Sequence, residues 1–246
     1  MCVVGLSSVA GVGKAPRLAR LGGGGRVLRA RRMGAEAKAA GAPKVVCYTA
    51  QSVDGVLARQ GGGLGSVDWL DPGSFRDGGE AVSAMGSMYE EFLESVGTLV
   101  MGRATYEACL SFGEWPYPGK LTYVFSRDEA RRGRLEPERQ VAWVVGKTPA
   151  EWLAGLPKND QGKGAVWVVG GGELIRYFLA AGLVDEFQLF TISVMLGGGV
   201  PFFPADSPPG WGPRALPGGK DLQLRARDAR LYSPAILGVT YDVVKN

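Results

Sequence analysis

The residues best placed for chemistry lie at a strand-to-helix junction. Residues 166–178 read VWVVGGGELIRYF: an apolar β-branched run, then Gly170, Gly171 and Gly172, then Leu174, Ile175 and Phe178, with Leu179 next, at helical intervals. Bare glycine backbone can approach a ligand closely. The open N–H groups and positive dipole end of the following helix attract a phosphate or pyrophosphate. The same triplet serves equally as a tight turn. It is not the spaced GxGxxG fingerprint, and no GxxxxGK[ST] loop occurs.

A second anion site is written at Gly102-Arg103-Ala104-Thr105, where a short strand at 98–101 passes into a helix through Tyr106, Leu110 and Phe112. A guanidinium and a hydroxyl at a helix start add a charge-assisted fork to the dipole. Taken alone, Arg103 also fits an ordinary surface ion pair. A third strand, 121–125, ends at Ser126-Arg127. Strands ending at Met101, Phe125 and Val169 therefore all run into phosphate-friendly residues, and ligands of an open parallel sheet gather at such ends.

Other chemistries drop out by composition. Histidine is absent, which removes serine or cysteine mechanisms with a histidine base and the usual zinc ligand sets. The cysteines, Cys2, Cys47 and Cys109, form neither a metal motif nor a disulfide framework. No apolar run approaches the ~18 residues that span a membrane.

The scaffold around these residues is legible in chain order. Folding is expected from Lys44, with a buried strand, an Asp54-Gly55 turn, and a glycine-rich loop at 59–67 able to close over a ligand. After Trp69, Leu70 and Phe75, the positions Val82, Met85, Tyr89, Phe92, Leu93 and Val96 predict an amphipathic helix over 80–96. A strand at 141–145 precedes a capped helix at 148–156, with Glu151 three residues after Thr148. A β-rich stretch spans 185–195, a glycine turn leads to 201–204, a loop with four prolines occupies 207–219, and alternation at 222–232 and 236–244 predicts an antiparallel hairpin. The 246 residues, 46% hydrophobic, hold a full core without a linker between two cores.

Charge is uneven. Residues 1–40 carry eight Lys or Arg against the single acid Glu36, while the remainder holds 20 basic and 23 acidic residues. A basic segment poor in acids, with Gly22 to Gly25, reads as a disordered leader over 1–42 of organelle transit type, plastid ahead of mitochondrion. A basic tail on a cytoplasmic protein is the alternative. The mildly acidic remainder argues against nucleic-acid binding.

Together the segments QSVDGVLA (51–58), VDWLD (67–71), LVMGRATYE (99–107), YVFSRD (123–128), VVGGGELIRYFL (168–179) and VDEFQLFTISVMLGGGVPFF (184–203) resemble the dihydrofolate reductase-like superfamily. They most resemble the reductase domain of the riboflavin-pathway bifunctional deaminase-reductase. The resemblance implies an α/β, three-layer fold over 43–246: a mostly parallel twisted sheet closed by an antiparallel C-terminal hairpin. It implies an NADPH-dependent oxidoreductase, 5-amino-6-(5-phosphoribosylamino)uracil reductase-like, acting on a small pyrimidine- or pterin-like substrate. By the family pattern Gly102, Arg103, Thr105, Ser126 and Arg127 hold the 2′-phosphate end. Gly170, Gly171, Gly172, Glu173, Leu174 and Ile175 cradle the pyrophosphate, and Ala50 with the turn from Val53 to Leu57 borders the nicotinamide.

On the substrate side the resemblance makes Asp54 and Thr191 the catalytic candidates, the proton coming from water or from Asp54 if its pKa is raised. Asp54 is otherwise a turn-former before Gly55. Where the helix acid of folate reductases would fall, this chain has Met85-Gly86-Ser87-Met88, so folate reduction is not expected, and Glu90 and Glu91 read as a solvated face. Ser193 replaces a proline usual in the riboflavin branch. With no HxE and no CxxC, deamination is not expected. No metal, membrane or nucleic-acid partner is expected, and a homodimer is expected by analogy. The competing reading is a non-catalytic nucleotide-binding or partner-binding module that keeps the fold.

Overall fold

The protein is described from a computed structural model over residues 41–61, 66–71, 80–111, 113–157, 164–202 and 222–245. Residues 1–40 of the leader, Phe75, Phe112, the 207–219 loop and parts of the 59–67 and 201–204 segments lie outside the described residues.

The chain opens with β1 (Val45–Ser52), whose side chains are buried on both faces, as expected of a central parallel strand. It turns at Gly55, whose φ of +75° favours glycine, into the short β2 (Val56–Ala58). Helix α1 (Glu80–Ser95) then leads to β3 (Val96–Gly102), which passes without a loop into α2 (Arg103–Leu110). Next come β4 (Leu121–Ser126), β5 (Leu135–Glu136) and β6 (Val141–Val145). Helix α3 (Pro149–Ala154) precedes β7 (Ala165–Gly170) and α4 (Gly172–Ala180). The chain closes with β8 (Glu186–Ile192), β9 (Val200–Pro201), β10 (Leu224–Ser233) and β11 (Ile236–Val243).

Nine strands form one sheet in the order β10-β11-β8-β1-β7-β3-β4-β6-β5. Pairings from β8 through β6 are parallel, while β5 and the β10–β11 hairpin are antiparallel. This is the expected mostly parallel α/β sheet with its antiparallel C-terminal pair. Two short pieces carry no recognisable periodicity: β5, and β9, which pairs with β2 in a separate antiparallel ribbon.

Alternate residues divide the sheet's two faces. Val46, Tyr48, Leu99, Met101, Val124, Trp143 and Trp167 face α1 and α2. Val45, Cys47, Val100, Tyr123, Phe125, Val144, Val166 and Val168 face α3 and α4. Three layers result. Trp167 is wholly enclosed, with Tyr48, Tyr89, Phe92 and Tyr117 set edge-on to it and its indole N–H donating to the Tyr48 carbonyl at 3.1 Å. Buried aromatic area of this kind clamps the middle of the sheet, leaving strand ends as the places where chemistry can be exposed.

Candidate functional site

Strand order decides what meets. Because β3 lies between β7 and β4, with Met101 level with Gly170 and Gly102 level with Phe125, the three anticipated strand ends stand side by side. They line one crevice of about 520 Å³, which contains Gly102, Arg103, Thr105, Ser126 and Arg127 on one side and Gly171, Gly172, Glu173 and Leu174 on the other. Ala104, Phe125, Asp128 and the β9 residues Val200 and Pro201 complete its lining. A second hollow of about 270 Å³ adjoins it across Phe125, Ser126 and Arg127, with Gly146, Lys147, Thr148 and Tyr177 beyond.

The glycine turn is built for close approach. Gly170 has a φ of +131°, which favours glycine, and the Gly170–Gly171 peptide is cis. Gly171, at φ −70°, caps α4, and a Cβ placed there would meet only Thr105 Oγ1, at 3.8 Å. The turn thus stands against the start of α2, with Thr105 its nearest neighbour. The amides of Leu174 and Ile175 donate to the Gly171 carbonyl at 3.0 and 3.2 Å, so these two are engaged within the turn. Among the described residues, the Gly172 and Glu173 amides have no such partner, as the first amides of a helix do not. The Glu173 carboxylate itself repels an anion, so only its main chain suits the role.

Opposite stand the cations and hydroxyls. Arg103 is half exposed and, among the described residues, makes a loose 3.8 Å contact to Glu107, so it can reach a ligand at little cost. Ser126 is buried, its hydroxyl accepting the Asp128 amide at 3.0 Å, which turns the chain so that exposed Arg127 borders both hollows. Asp128 in turn caps the next turn through Ala130. Lys147 and Thr148 extend the polar wall from the end of β6.

The remaining candidates fall elsewhere. Ala50, Val53, Leu57, Gly170 and Ile175 are not among the residues lining either hollow. Ala50, Leu57 and Ile175 are buried, Ile175 completely, whereas Val53 is 56% exposed. Thr191 is half buried on β8, between Gln51 of β1 and Leu237 of β11. Glu90 and Glu91 are exposed, as a solvated helix face requires. Ser193 has a physical reason for not being proline: its amide donates to the Ala235 carbonyl at 2.9 Å, tying β8 to the hairpin turn.

Asp54 does not meet the condition set for a proton donor. Its carboxylate accepts the Ser52 hydroxyl at 2.6 Å and the Leu196 and Gly197 amides at 3.1 and 2.8 Å. These bonds, the Ser52 hydroxyl first, lower its pKa to about 2. A carboxyl held ionised is no proton donor near neutrality.

The strand-end reading misses Gly146, Lys147, Thr148, Tyr177, Val200 and Pro201. A signal existed for the first three, since β6 is one more parallel strand ending in a glycine, a cation and a hydroxyl. None existed for Val200 and Pro201, whose place depends on the β2–β9 pairing.

An open, mostly parallel sheet whose adjacent strand ends converge on one crevice defines an α/β protein of dihydrofolate reductase-like fold. Residues 43–234 match the RibD C-terminal domain, and the chain belongs to that family. Two Bacillus subtilis (strain 168) proteins are similar: uncharacterized protein YwjB, 32% identical over 161 residues covering 65% of this chain and 82% of YwjB, and uncharacterized protein YyaP, 30% identical over 174 residues covering 65% and 80%. A putative riboflavin biosynthesis protein from Shewanella sp. PV-4 superposes with a TM-score of 0.61 at 27% identity, covering 82% of this chain and 99% of that one. The Thermotoga maritima deaminase/5-amino-6-(5-phosphoribosylamino)uracil reductase shares the fold, with a TM-score of 0.55 at 16% identity over 82% of this chain and 57% of its own. The chain thus shares its family with the RibD C-terminal domain and its fold with these solved structures.

Proposed function

We propose that this protein is an NADPH-dependent reductase of the riboflavin-pathway type, acting on a small pyrimidine- or pterin-like heterocycle. One observation carries the reading: the open amides of the glycine turn and the Arg103, Thr105, Ser126 and Arg127 cluster face one crevice. Gly172 and Glu173 would hold the pyrophosphate, Arg103 and Arg127 the 2′-phosphate, and the adjoining hollow at Lys147 and Tyr177 the adenosine end. The cofactor supplies hydride for a C=N or C=O bond, while this chain's residues orient it and exclude water. With Asp54 ionised, the accompanying proton comes from solvent.

Cofactor titrations test the reading. Arg103→Ala should weaken NADPH by ~1.5–3 kcal/mol, roughly ten- to more than hundred-fold, because a charge-assisted bond is lost, and should affect NADH much less. Equal weakening of both removes the 2′-phosphate assignment. Loss of nicotinamide absorbance with a panel of pyrimidines and pterins reads turnover, and NADPH binding without turnover across the panel favours the non-catalytic module.

A further inference from the structure

We infer that Asp54 is a positioning residue, its carboxylate latching the 196–199 turn onto the β1–β2 turn and thereby holding β9 as the outer wall of the cofactor crevice. This rests on the NADPH reading and adds a role for a carboxylate that does not itself line the crevice.

The latch starts from a fixed point. Ser52 is wholly buried, and its hydroxyl accepts the Val56 amide at 3.0 Å while donating to Asp54 at 2.6 Å. The aspartate is therefore aimed before it meets the far loop. There it accepts the Leu196 and Gly197 amides. These are successive main-chain donors on a turn where a Cβ at Gly197 or Gly198 would meet nothing within 4 Å. Met195 just before them is 74% exposed. Leu196 is half-buried against the core, and the two charge-assisted bonds add a second hold where the glycines beside it offer no side chain.

Beyond the turn, the chain is drawn tight against β2. Gly199 has a φ of +144°, and a Cβ there would lie 2.2 Å from the Ala58 carbonyl oxygen, so only glycine fits. Gln60 Nε2 donates to the Gly199 carbonyl at 3.1 Å, and the Phe202 amide donates to the Gly55 carbonyl at 3.0 Å. Val56 pairs with Pro201 and Ala58 with Val200. Val200 and Pro201 then face the same crevice as Arg103 and Gly171. Force on the latch is thus transmitted along about four residues of taut chain to the crevice wall.

Asp54→Asn tests this, because an amide offers one acceptor oxygen and turns an N–H₂ toward donors that need an acceptor. The expected result is a roughly three- to tenfold rise in the NADPH dissociation constant without substrate, with turnover at saturating NADPH keeping its pH profile. Amides in a 196–202 peptide should exchange at least about tenfold faster. Ser52→Ala, which leaves the charge but removes its aim, should shift the same readouts in the same direction by less. Unchanged NADPH affinity with collapsed turnover would overturn the latch in favour of direct contact with substrate. If the wild-type protein binds no NADPH, the reductase reading falls on its own and hydrogen exchange alone decides. Faster exchange in Asp54→Asn then supports the latch, and unchanged exchange overturns it.

Discussion

Gly171 shows how much a single residue can report. Its φ of −70° is open to any L-residue, and a Cβ there makes only an ordinary contact with Thr105, so nothing internal demands glycine. Gly171→Val should therefore leave thermal stability nearly unchanged while its branched side chain fills the space between the glycine turn and α2. NADPH titration should show binding abolished, and retained affinity would remove the pyrophosphate site. At this scale the sequence was informative wherever chemistry is carried by residue type: Arg103, Thr105, Ser126 and Arg127 were legible as anion-seeking groups. It was silent wherever function depends on hydrogen-bond saturation. Nothing in the letters says that the Leu174 and Ile175 amides are engaged, or that Asp54 is held ionised by Ser52 and two distant amides.

Among the elements, α3 was read from its capping box, and the box is present: Thr148 Oγ1 accepts the Glu151 amide at 3.2 Å while Glu151 accepts the Thr148 amide at 2.8 Å. A helix this short cannot hold itself, and depends on its cap and on Trp152 packing against Tyr123, Phe125 and Phe178. Thr148→Ala should cost about 1 kcal/mol and lower the melting temperature by roughly 2–4 °C, measurable by thermal denaturation. Helix α1 was legible because one apolar face imposes a repeat on the sequence, whereas the hairpin was legible from its alternation alone, since β10 is exposed along most of its length. The two-residue strands β5 and β9 were not, since pairing partners rather than periodicity create them.

At the scale of the molecule, the far end of the sheet is closed by charge. Glu186, almost wholly buried, is met by Lys44 at 2.6 Å, by Gln188 at 2.9 Å and by Arg227, which also reaches Asp242, so that β8, β10, β11 and the residue just before β1 share one network. Burial alone would raise its pKa, but the hydrogen bonds from Gln188, Lys44 and Arg227 outweigh it and hold the carboxyl below the usual 4.5. A depressed carboxylate pKa contributes stability that is fully present above the unfolded value and is lost as pH falls through the folded one. Thermal melts from neutrality downward should thus lose stability below about pH 4.5. Glu186→Gln should be less stable at neutral pH, by about 2 kcal/mol since both cations remain half exposed, and should show a shallower acid slope. An unaltered slope would place acid sensitivity elsewhere.

Side-chain chemistry and local periodicity are properties of neighbours along the chain, so the letters alone were enough to say which groups suit an anion and that each sits where a strand stops. The folded molecule was needed to learn that β3 lies between β7 and β4, that β9 reaches back to wall the crevice, and that Asp54 grips a turn 142 residues away. Those relations come from which strands pair, which is settled by burial of the two faces and the saturation of main-chain hydrogen bonds across the whole fold.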